Sequence, residues 1–192
     1  MKRVKAWYWR QMATWSTFFR QAEMAIEYWE RIRGLFPNDA AVLATLAGLH
    51  AARGRKPLAI EMLRASIGID AAKAYTHFNL GFLLQEEGEH AEALICFDRA
   101  IALNEKLDQA FYGKGLSLIK LERLDEALEP LRINTRLQPL SPYGFYQLAH
   151  ALHRLGREED AKRIIVQLSG FEPQVARQLQ RETGIDAGVP AL

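Results

Sequence analysis

Apolar and polar positions alternate along this chain with the period of an α-helix, and the alternation itself repeats. Residues 79–97, NLGFLLQEEGEHAEALICF, hold an apolar helical stretch, a polar turn with a glycine, and a second apolar stretch. The same arrangement returns at constant spacing at 113–131 and again at 147–165. Equal steps in the other direction reach 45–63 and 11–29. The pattern therefore predicts five successive helix pairs, over residues 6–39, 40–73, 74–107, 108–141 and 142–175.

Small residues recur at one fixed position in each helix of a pair. In the second helix, a large apolar residue follows the small one after four positions. Small side chains let two helix backbones approach closely, and larger ones fill the space around that contact. The small residues of the first helices are Ala13, Ala47, Gly81, Gly115 and Ala149, and those of the second helices are Ala25, Ala59, Ala93, Ala127 and Ala161.

The turn between the two helices of a unit is expected to need a left-handed residue. Gly54, Gly88 and Gly156 hold this position in three units, and glycine adopts the conformation most easily. Arg20 and Glu122 stand at the same position in the first and fourth units.

The fourth unit departs furthest from the pattern. Lys114 and Asn134 take positions that are mostly apolar in the other units. Pro130 lies inside the second helix, where it removes a backbone hydrogen bond and is expected to kink the helix. We expect this unit to be the least stable of the five.

These features together resemble the tetratricopeptide repeat family, whose units have about the same length as the period seen here. The resemblance extends over residues 6–175 of 192. It implies an all-α fold, a right-handed superhelical solenoid of stacked antiparallel helix pairs. On this basis the chain divides into a basic N-terminal tail at 1–5, a single solenoid domain at 6–175, and a capping helix with a frayed tail at 176–192.

The resemblance also implies that the first helix of each unit lines a concave groove that takes a peptide or helix of a partner protein. Aromatic rings and amides dominate the positions that would face this groove, which favours a partly apolar segment. The second unit offers only small side chains there, at Ala41, Ala44, Thr45, Gly48 and Ala52, and predicts a smooth pocket. The candidate groove residues are Trp7, Arg10, Tyr75, Phe78, Asn79, Phe82, Gln109, Tyr112, Leu116, Tyr143, Tyr146, Gln147 and His150.

Asn79 is singled out among them because an amide can pair with both a donor and an acceptor of a ligand backbone. Some members of the family bind a C-terminal carboxylate through a clamp of lysines, asparagines and an arginine. Only Arg10 and Asn79 match that clamp, while Tyr75 and Gln109 stand where lysine would be expected. Because the match to the clamp is incomplete, the sequence disfavours an adaptor for heat-shock chaperones.

Composition narrows the remaining classes of function. A net charge of +2 gives no support for nucleic-acid binding through bulk charge, and Cys96 is the only cysteine, so no disulfide framework forms within the chain. His150 and His153 share a helix face but lack further metal ligands. No phosphate-binding glycine loop or nucleophile motif is present. We expect a non-enzymatic protein without cofactor or metal, cytoplasmic because no apolar run has the length of a membrane span.

The segment AWYWRQMATWSTFF, residues 6–19, holds six aromatic residues in fourteen positions. Alignment with the other units assigns Trp9, Met12, Ala13, Phe19, Tyr28 and Trp29 to the core. Trp7, Trp15 and Phe18 remain as an aromatic surface at an end that no earlier repeat would cover. We interpret this surface as a protein contact, either in a homodimer or with a fixed partner. Docking on a membrane is second, because Lys2, Arg3 and Lys5 precede it, and a self-sealed cap is third.

Charge is distributed unevenly between two neighbouring units. The second unit has five basic and two acidic residues, and the third has two basic and six acidic residues. Such opposed patches could steer a partner or stack copies of the chain. The leading hypothesis is a scaffold, adaptor or assembly chaperone of the compact bacterial kind, and the alternative is a self-assembling structural protein.

Overall fold

The computed structural model describes residues 1–190, and within that range it contains eleven α-helices and no β-strand. In chain order the helices are α1 (Lys2–Phe18), α2 (Ala22–Leu35), α3 (Ala40–Ala52), α4 (Lys56–Ile69), α5 (Ala74–Glu86), α6 (His90–Leu103), α7 (Asp108–Lys120), α8 (Leu124–Leu137), α9 (Pro142–Arg154), α10 (Glu158–Ser169) and α11 (Pro173–Thr183).

The repeat period of the sequence is also the period of the helices. The helices α3, α5, α7 and α9 begin at equal intervals along the chain, and α4, α6, α8 and α10 begin at the same intervals. The predicted all-α helical repeat is therefore confirmed. The first pair differs, because α1 begins at Lys2 and residues 2–5, expected to be a tail, form its first turn.

The chain forms two compact units, Met1–Glu87 and the remainder from Gly88 onward. The single domain expected over 6–175 stays a prediction. In the first unit, α1–α2 and α3–α4 pack as pairs, and α5 packs on α4. The small residues Ala13, Ala25, Ala47 and Ala59 are fully buried at the helix contacts, which is the role the repeat pattern assigns to them.

The second unit contains α6–α11 and has a continuous apolar core. Gly115 of α7 shows why a small residue is needed at its position. A Cβ placed there would lie 2.6 Å from Cγ of Leu131, a fully buried side chain of α8. A larger residue at this position would require the Leu131 side chain to move or the two helices to separate.

Asn134 explains how the fourth repeat accommodates a polar residue at a core position. The side chain is buried, and its Nδ2 donates a hydrogen bond of 3.0 Å to the carbonyl of Asp108 at the start of α7. Ser66 makes the equivalent bond in the second repeat, since its Oγ donates to the carbonyl of Ala40 over 2.8 Å. Both residues tie the second helix of a pair to the beginning of the first. Their polar groups are thus satisfied inside the core.

The C-terminal helix α11 begins at Pro173, and the prediction of a frayed tail after it is wrong for residues 184–190. Ile185 and Val189 are buried in the core of the second unit. Gln180 of α11 holds the segment in place, because its Oε1 accepts hydrogen bonds from the backbone N–H groups of Ala187 and Val189. The last two residues of the chain, also expected to lie in this tail, fall outside the described residues.

Candidate functional site

All candidate groove residues are exposed or half-buried, so none of them belongs to the buried core. Tyr75, Phe82 and Tyr143 are exposed large rings, and Trp7, Arg10, Asn79 and Gln109 are exposed as well. The remaining six are half-buried: Phe78, Tyr112, Leu116, Tyr146, Gln147 and His150. Since they are divided between the two compact units, the two sets are described separately.

The first unit has a cavity of about 910 Å³ at the position where the sequence predicted a smooth pocket. We call it the α3 cavity. Ala41, Ala44 and Thr45 of α3 form part of its lining, and their short side chains leave the space open. Ser66 lies beside them, and its hydroxyl is directed to the carbonyl of Ala40. The small residues of α3 therefore leave an opening in the surface, in addition to allowing the helices to pack closely.

Larger side chains form the walls of the α3 cavity. Phe36 contributes from the loop that follows α2, Ile69 from the last turn of α4, and Tyr75 from the first turn of α5. The Tyr75 ring and the Ile69 side chain are exposed to solvent. An apolar group that entered the cavity would cover this surface and exclude water from it.

The charged residues at the α3 cavity are of both signs and lie in pairs. Asp39 lines the cavity, and its carboxylate lies 3.7 Å from the guanidinium of Arg10. Asp70 and Lys73 also line it and form an ion pair of 3.6 Å. Because these charges compensate one another, the cavity has no strong preference for a cation or an anion.

A smaller cavity of about 150 Å³ adjoins Asn79 on the same helices. Gly48 and Ala51 of α3 line one side, and Asn79 and Phe82 of α5 line the other. The Asn79 amide makes no hydrogen bond within residues 1–190. It presents a donor and an acceptor next to an apolar recess.

A third cavity, of about 340 Å³, lies on the other side of the α3 cavity. Trp7 and Arg10 of α1 line it, and it shares Phe36 and Asp39 with the α3 cavity. The guanidinium of Arg10 also lies 6.0 Å from the centre of the Trp29 ring, within cation–π range. We call the surface formed by these three cavities the α1–α3–α5 face.

In the second unit, two of the candidate groove residues hold the C-terminal helix. The hydroxyl of Tyr146 donates to Oε2 of Glu182 over 2.7 Å, and Nε2 of His150 lies 2.9 Å from the same oxygen. The amide of Gln178, one turn earlier on α11, donates to the other carboxylate oxygen over 2.8 Å. These contacts lower the pKa of Glu182 to about 2, with the Gln178 bond as the largest cause. Tyr146 and His150 thus have an intramolecular role that the sequence did not indicate.

The other candidates of the second unit are less engaged. Tyr112 hydrogen-bonds Gln147, and its pKa is raised, chiefly by burial. Tyr143 and Gln109 are exposed. None of the cavities described in this unit is lined by the candidate groove residues; the cavity of about 340 Å³ between α6, α7 and α8 is lined instead by Asp98, Lys114 and Glu126, among others.

The opposed charges of the second and third repeats are partly neutralised within the first unit. The ammonium of Lys56 lies 3.3 Å from Glu86 and 3.2 Å from Glu87. These carboxylates are therefore less available to an external partner.

At the N-terminal end, Trp15, Phe18 and Phe19 form a cluster of rings on the surface. Trp15 stacks on Phe19 at 6.1 Å, and Phe18 meets both rings edge-on. The core assignment of Phe19 is wrong, because the residue lies just past the end of α1 and is 62% exposed. Ala13 is buried as expected, and Trp9, Met12, Tyr28 and Trp29 are half-buried. Ring contacts thus exist, but they do not seal the surface.

Sequence reasoning missed Phe36, Ile69 and Glu182. Phe36 lies in a loop, and Ile69 is the last residue of a second helix, so neither falls on the face assigned to binding. Glu182 lies beyond the fifth repeat, where the repeat phase gives no position to compare.

Among the described residues, no helix is long and apolar enough to cross a membrane.

The helix pairs and the open face on their first helices define an interaction scaffold built from helical repeats. Models of the tetratricopeptide repeat match residues 74–107 and 142–167. These two segments are therefore tetratricopeptide repeats, as the resemblance in the sequence implied.

Solved structures share this fold at low sequence identity. The crystal structure of MamA protein superposes with a TM-score of 0.79 at 20% identity, covering 98% of this chain and 97% of that one. YrrB, described as a tetratricopeptide repeat protein with an unusual peptide-binding site, gives a TM-score of 0.77 at 19% identity over 88% of each chain.

Among curated proteins, the STIP1 homolog of Dictyostelium discoideum is 29% identical over 94 residues, which are 49% of this chain and 17% of that protein. The chain spans less than a fifth of the length of the curated relatives it matches.

Proposed function

We propose that the α1–α3–α5 face binds a segment of a partner protein, with an apolar side chain of that segment in the α3 cavity. The observation that carries the proposal is the juxtaposition of small residues on α3 with the larger side chains Phe36, Ile69 and Tyr75 around one opening. The volume of about 910 Å³ is in the range of cavities that hold ligands. Burial of one large apolar side chain contributes about 1.5–3 kcal/mol.

Asn79 supplies the second element of recognition. Its amide has no partner among residues 1–190 and stands next to an apolar recess. An amide in this setting can pair with the backbone of a bound segment while apolar side chains occupy the cavities on either side. Affinity would then come from apolar burial, and the amide would fix the register of the segment.

The charges of the face favour a partner segment without a strong net charge. Arg10 and Lys73 are each paired with a carboxylate at the α3 cavity, so a highly charged ligand would have to break these pairs. YrrB, a protein of the same fold, is described as having a peptide-binding site. In this chain the site would serve a scaffold or adaptor, a role that requires binding but no catalytic side chains.

The proposal is tested with peptides selected from a random dodecapeptide library against the wild-type protein. We expect enrichment of peptides with large apolar residues, and binding of a selected peptide measured by fluorescence anisotropy. Ala44→Leu places a branched side chain in the α3 cavity and should weaken that binding at least tenfold, equivalent to about 1.4 kcal/mol. Asn79→Ala should weaken it about threefold to tenfold, the range of one or two hydrogen bonds.

Ala65→Leu is the matched control, because Ala65 is exposed on α4 and does not line the cavity. This variant should bind like the wild type, and both leucine variants should have wild-type circular dichroism. Equal binding by Ala44→Leu and the wild type, or a library without any enriched apolar sequence, would refute the proposal.

A further inference from the structure

The outer side of α1 carries an apolar stripe that no part of the described chain covers. Val4, Tyr8, Trp15 and Phe18 lie on this side, at the i, i+4, i+11 and i+14 positions of a helix. They are 71%, 53%, 58% and 75% exposed, respectively. We call these four residues the α1 stripe. Exposed apolar surface of this extent on one helix is typical of a contact site.

The charges of α1 are all positive. Lys2, Arg3, Lys5 and Arg10 are its charged residues, and no acidic residue is present in the helix. Lys2, Arg3 and Lys5 lie in the first turn of the helix, where the helix dipole favours acidic side chains instead. Lys2, Arg3 and Lys5 form no ion pair within residues 1–190. The arrangement thus costs stability locally without an intramolecular contact that offsets it.

The neighbouring helix does not neutralise this charge. All three acidic residues of α2 are engaged by arginines outside α1. Glu23 pairs with Arg53 and Arg55, Glu27 with Arg31, and Glu30 with Arg33. Three of the four cations of α1 therefore stay unpaired at the surface, whereas Arg10 pairs with Asp39.

We propose that α1 docks this protein on the surface of an anionic membrane. The α1 stripe would lie in the boundary between headgroups and acyl chains, where tryptophan and tyrosine rings are favoured. Lys2, Arg3 and Lys5 would contact the phosphates of the headgroups. The helix would lie in the plane of the surface. The proposal does not rest on the α1–α3–α5 face, since the α1 stripe shares no residue with its three cavities, although Arg3 also lines the third of them.

The stripe and the charges together favour lipid over other occupants. A second copy of α1 packed against the stripe would bring two sets of unpaired cations to one interface. A nucleic acid would satisfy the cations but would leave the aliphatic part of the stripe without an apolar environment. A lipid surface satisfies both features at once.

The test uses the full chain and two kinds of vesicle, one of phosphatidylcholine alone and one with two parts of phosphatidylcholine to one part of phosphatidylglycerol. All four tryptophans lie between residues 7 and 29, so tryptophan fluorescence reports on the first helix pair. We expect co-sedimentation with anionic vesicles at low salt, a blue shift of the emission, weaker binding in about 0.5 M salt, and little binding to neutral vesicles. Each lysine near such a surface contributes about fivefold, so Lys2→Gln/Lys5→Gln should bind about 25-fold more weakly.

Trp15→Ser/Phe18→Ser removes part of the stripe, and both side chains are exposed, so the fold should persist. We expect more than a tenfold loss of partitioning. Lys106→Gln/Lys162→Gln changes the net charge equally at exposed positions of the second unit, and Ile95→Ser/Tyr143→Ser removes two exposed apolar side chains there. Both control variants should bind like the wild type.

Three results would overturn the proposal. One is a wild-type protein that stays in the supernatant with anionic vesicles at low salt. Another is equal binding of the wild type and Lys2→Gln/Lys5→Gln. The third is a concentration-dependent dimer, or a complex with a nucleic acid, that is abolished by the stripe or lysine variants while no vesicle binding occurs.

Discussion

Arg20 and Glu122 occupy the turn position that glycine holds at residues 54, 88 and 156, and all five have positive φ. Both non-glycine residues have φ of 58°, in the left-handed region. A side chain in this region costs about 1–2 kcal/mol relative to glycine. The sequence predicted these positions because the repeat phase places them opposite the glycines. The sequence held no sign of the role of Glu182, because two of its partners, Tyr146 and His150, depend on where α11 packs.

Arg20→Gly should raise the free energy of unfolding by up to about 1 kcal/mol. Relief of the backbone strain exceeds the entropy that glycine adds to the unfolded chain, which is about 0.5–1 kcal/mol. Glu122→Gly should gain less, because it also removes the exposed ion pair with Arg154. Urea denaturation measures both values, with Gly54→Ala as the reverse change, expected to destabilise. A lower urea midpoint for Arg20→Gly would mean that its side chain has a stabilising contact that outweighs the strain.

At the scale of the helices, the repeat pattern located most boundaries because each pair is a copy of its neighbour. The pattern failed where the copies end. At the N-terminus the polar start of α1 suggested a tail, yet Lys2–Lys5 continue the helix. At the C-terminus the glycine-containing tail suggested fraying, yet Ile185 and Val189 pack into the core. At the C-terminus the deciding contacts are tertiary and have no counterpart in the other repeats, whereas at the N-terminus the exposed residues 2–5 simply continue the helix.

The junction of α9 and α11 has a predictable dependence on pH. The folded-state pKa of Glu182 is lowered from 4.5 to about 2 by its bonds with Gln178, Tyr146 and His150. A carboxylate with a depressed pKa contributes stability that is present above its unfolded pKa and is lost as the pH falls through its folded pKa. The contribution should therefore be complete above about pH 4.5 and disappear as the pH falls to about 2.

Glu182→Gln should lower the urea midpoint at pH 6, and the difference from the wild type should shrink as the pH falls from about 4.5 toward 2. Glu105→Gln, which removes an exposed carboxylate, is the control and should follow the wild-type curve at every pH. A difference between Glu182→Gln and the wild type that does not change with pH would show that the carboxylate charge is not what holds α11.

At the scale of the whole molecule, the all-α repeat fold could be predicted because five repeats at constant spacing are compatible with few other folds. The smooth pocket also followed in part, since Ala41 and Ala44 line the cavity and are small at positions where most other repeats carry rings. Of the larger side chains in its walls, only Tyr75 was among the candidate groove residues. Phe36 and Ile69 reach the cavity from a loop and from a helix end, and the direction of such residues depends on how the chain leaves each helix.

The exposure of Phe19, just past the end of α1, also differs from what the repeat pattern predicted. A repeat pattern assigns core positions by analogy with the other units, and it assigned Phe19 to the core for that reason. The structure instead leaves Phe19 and the α1 stripe open while the helix pair packs through Ala13 and Ala25. The excess of aromatic residues is thus additional to what the fold requires, which is the basis for assigning it a separate role.

The central claim is that the α1–α3–α5 face is the binding site for a partner segment, and amide chemical-shift mapping tests it most directly. An isotope-labelled sample of this chain would be titrated with a peptide selected from the library. The account predicts that the largest shifts cluster at Ala41, Ala44, Thr45 and Asn79, and that they vanish in Ala44→Leu but persist in Ala65→Leu. Shifts concentrated in the second unit, with the residues of the α3 cavity unchanged, would contradict it.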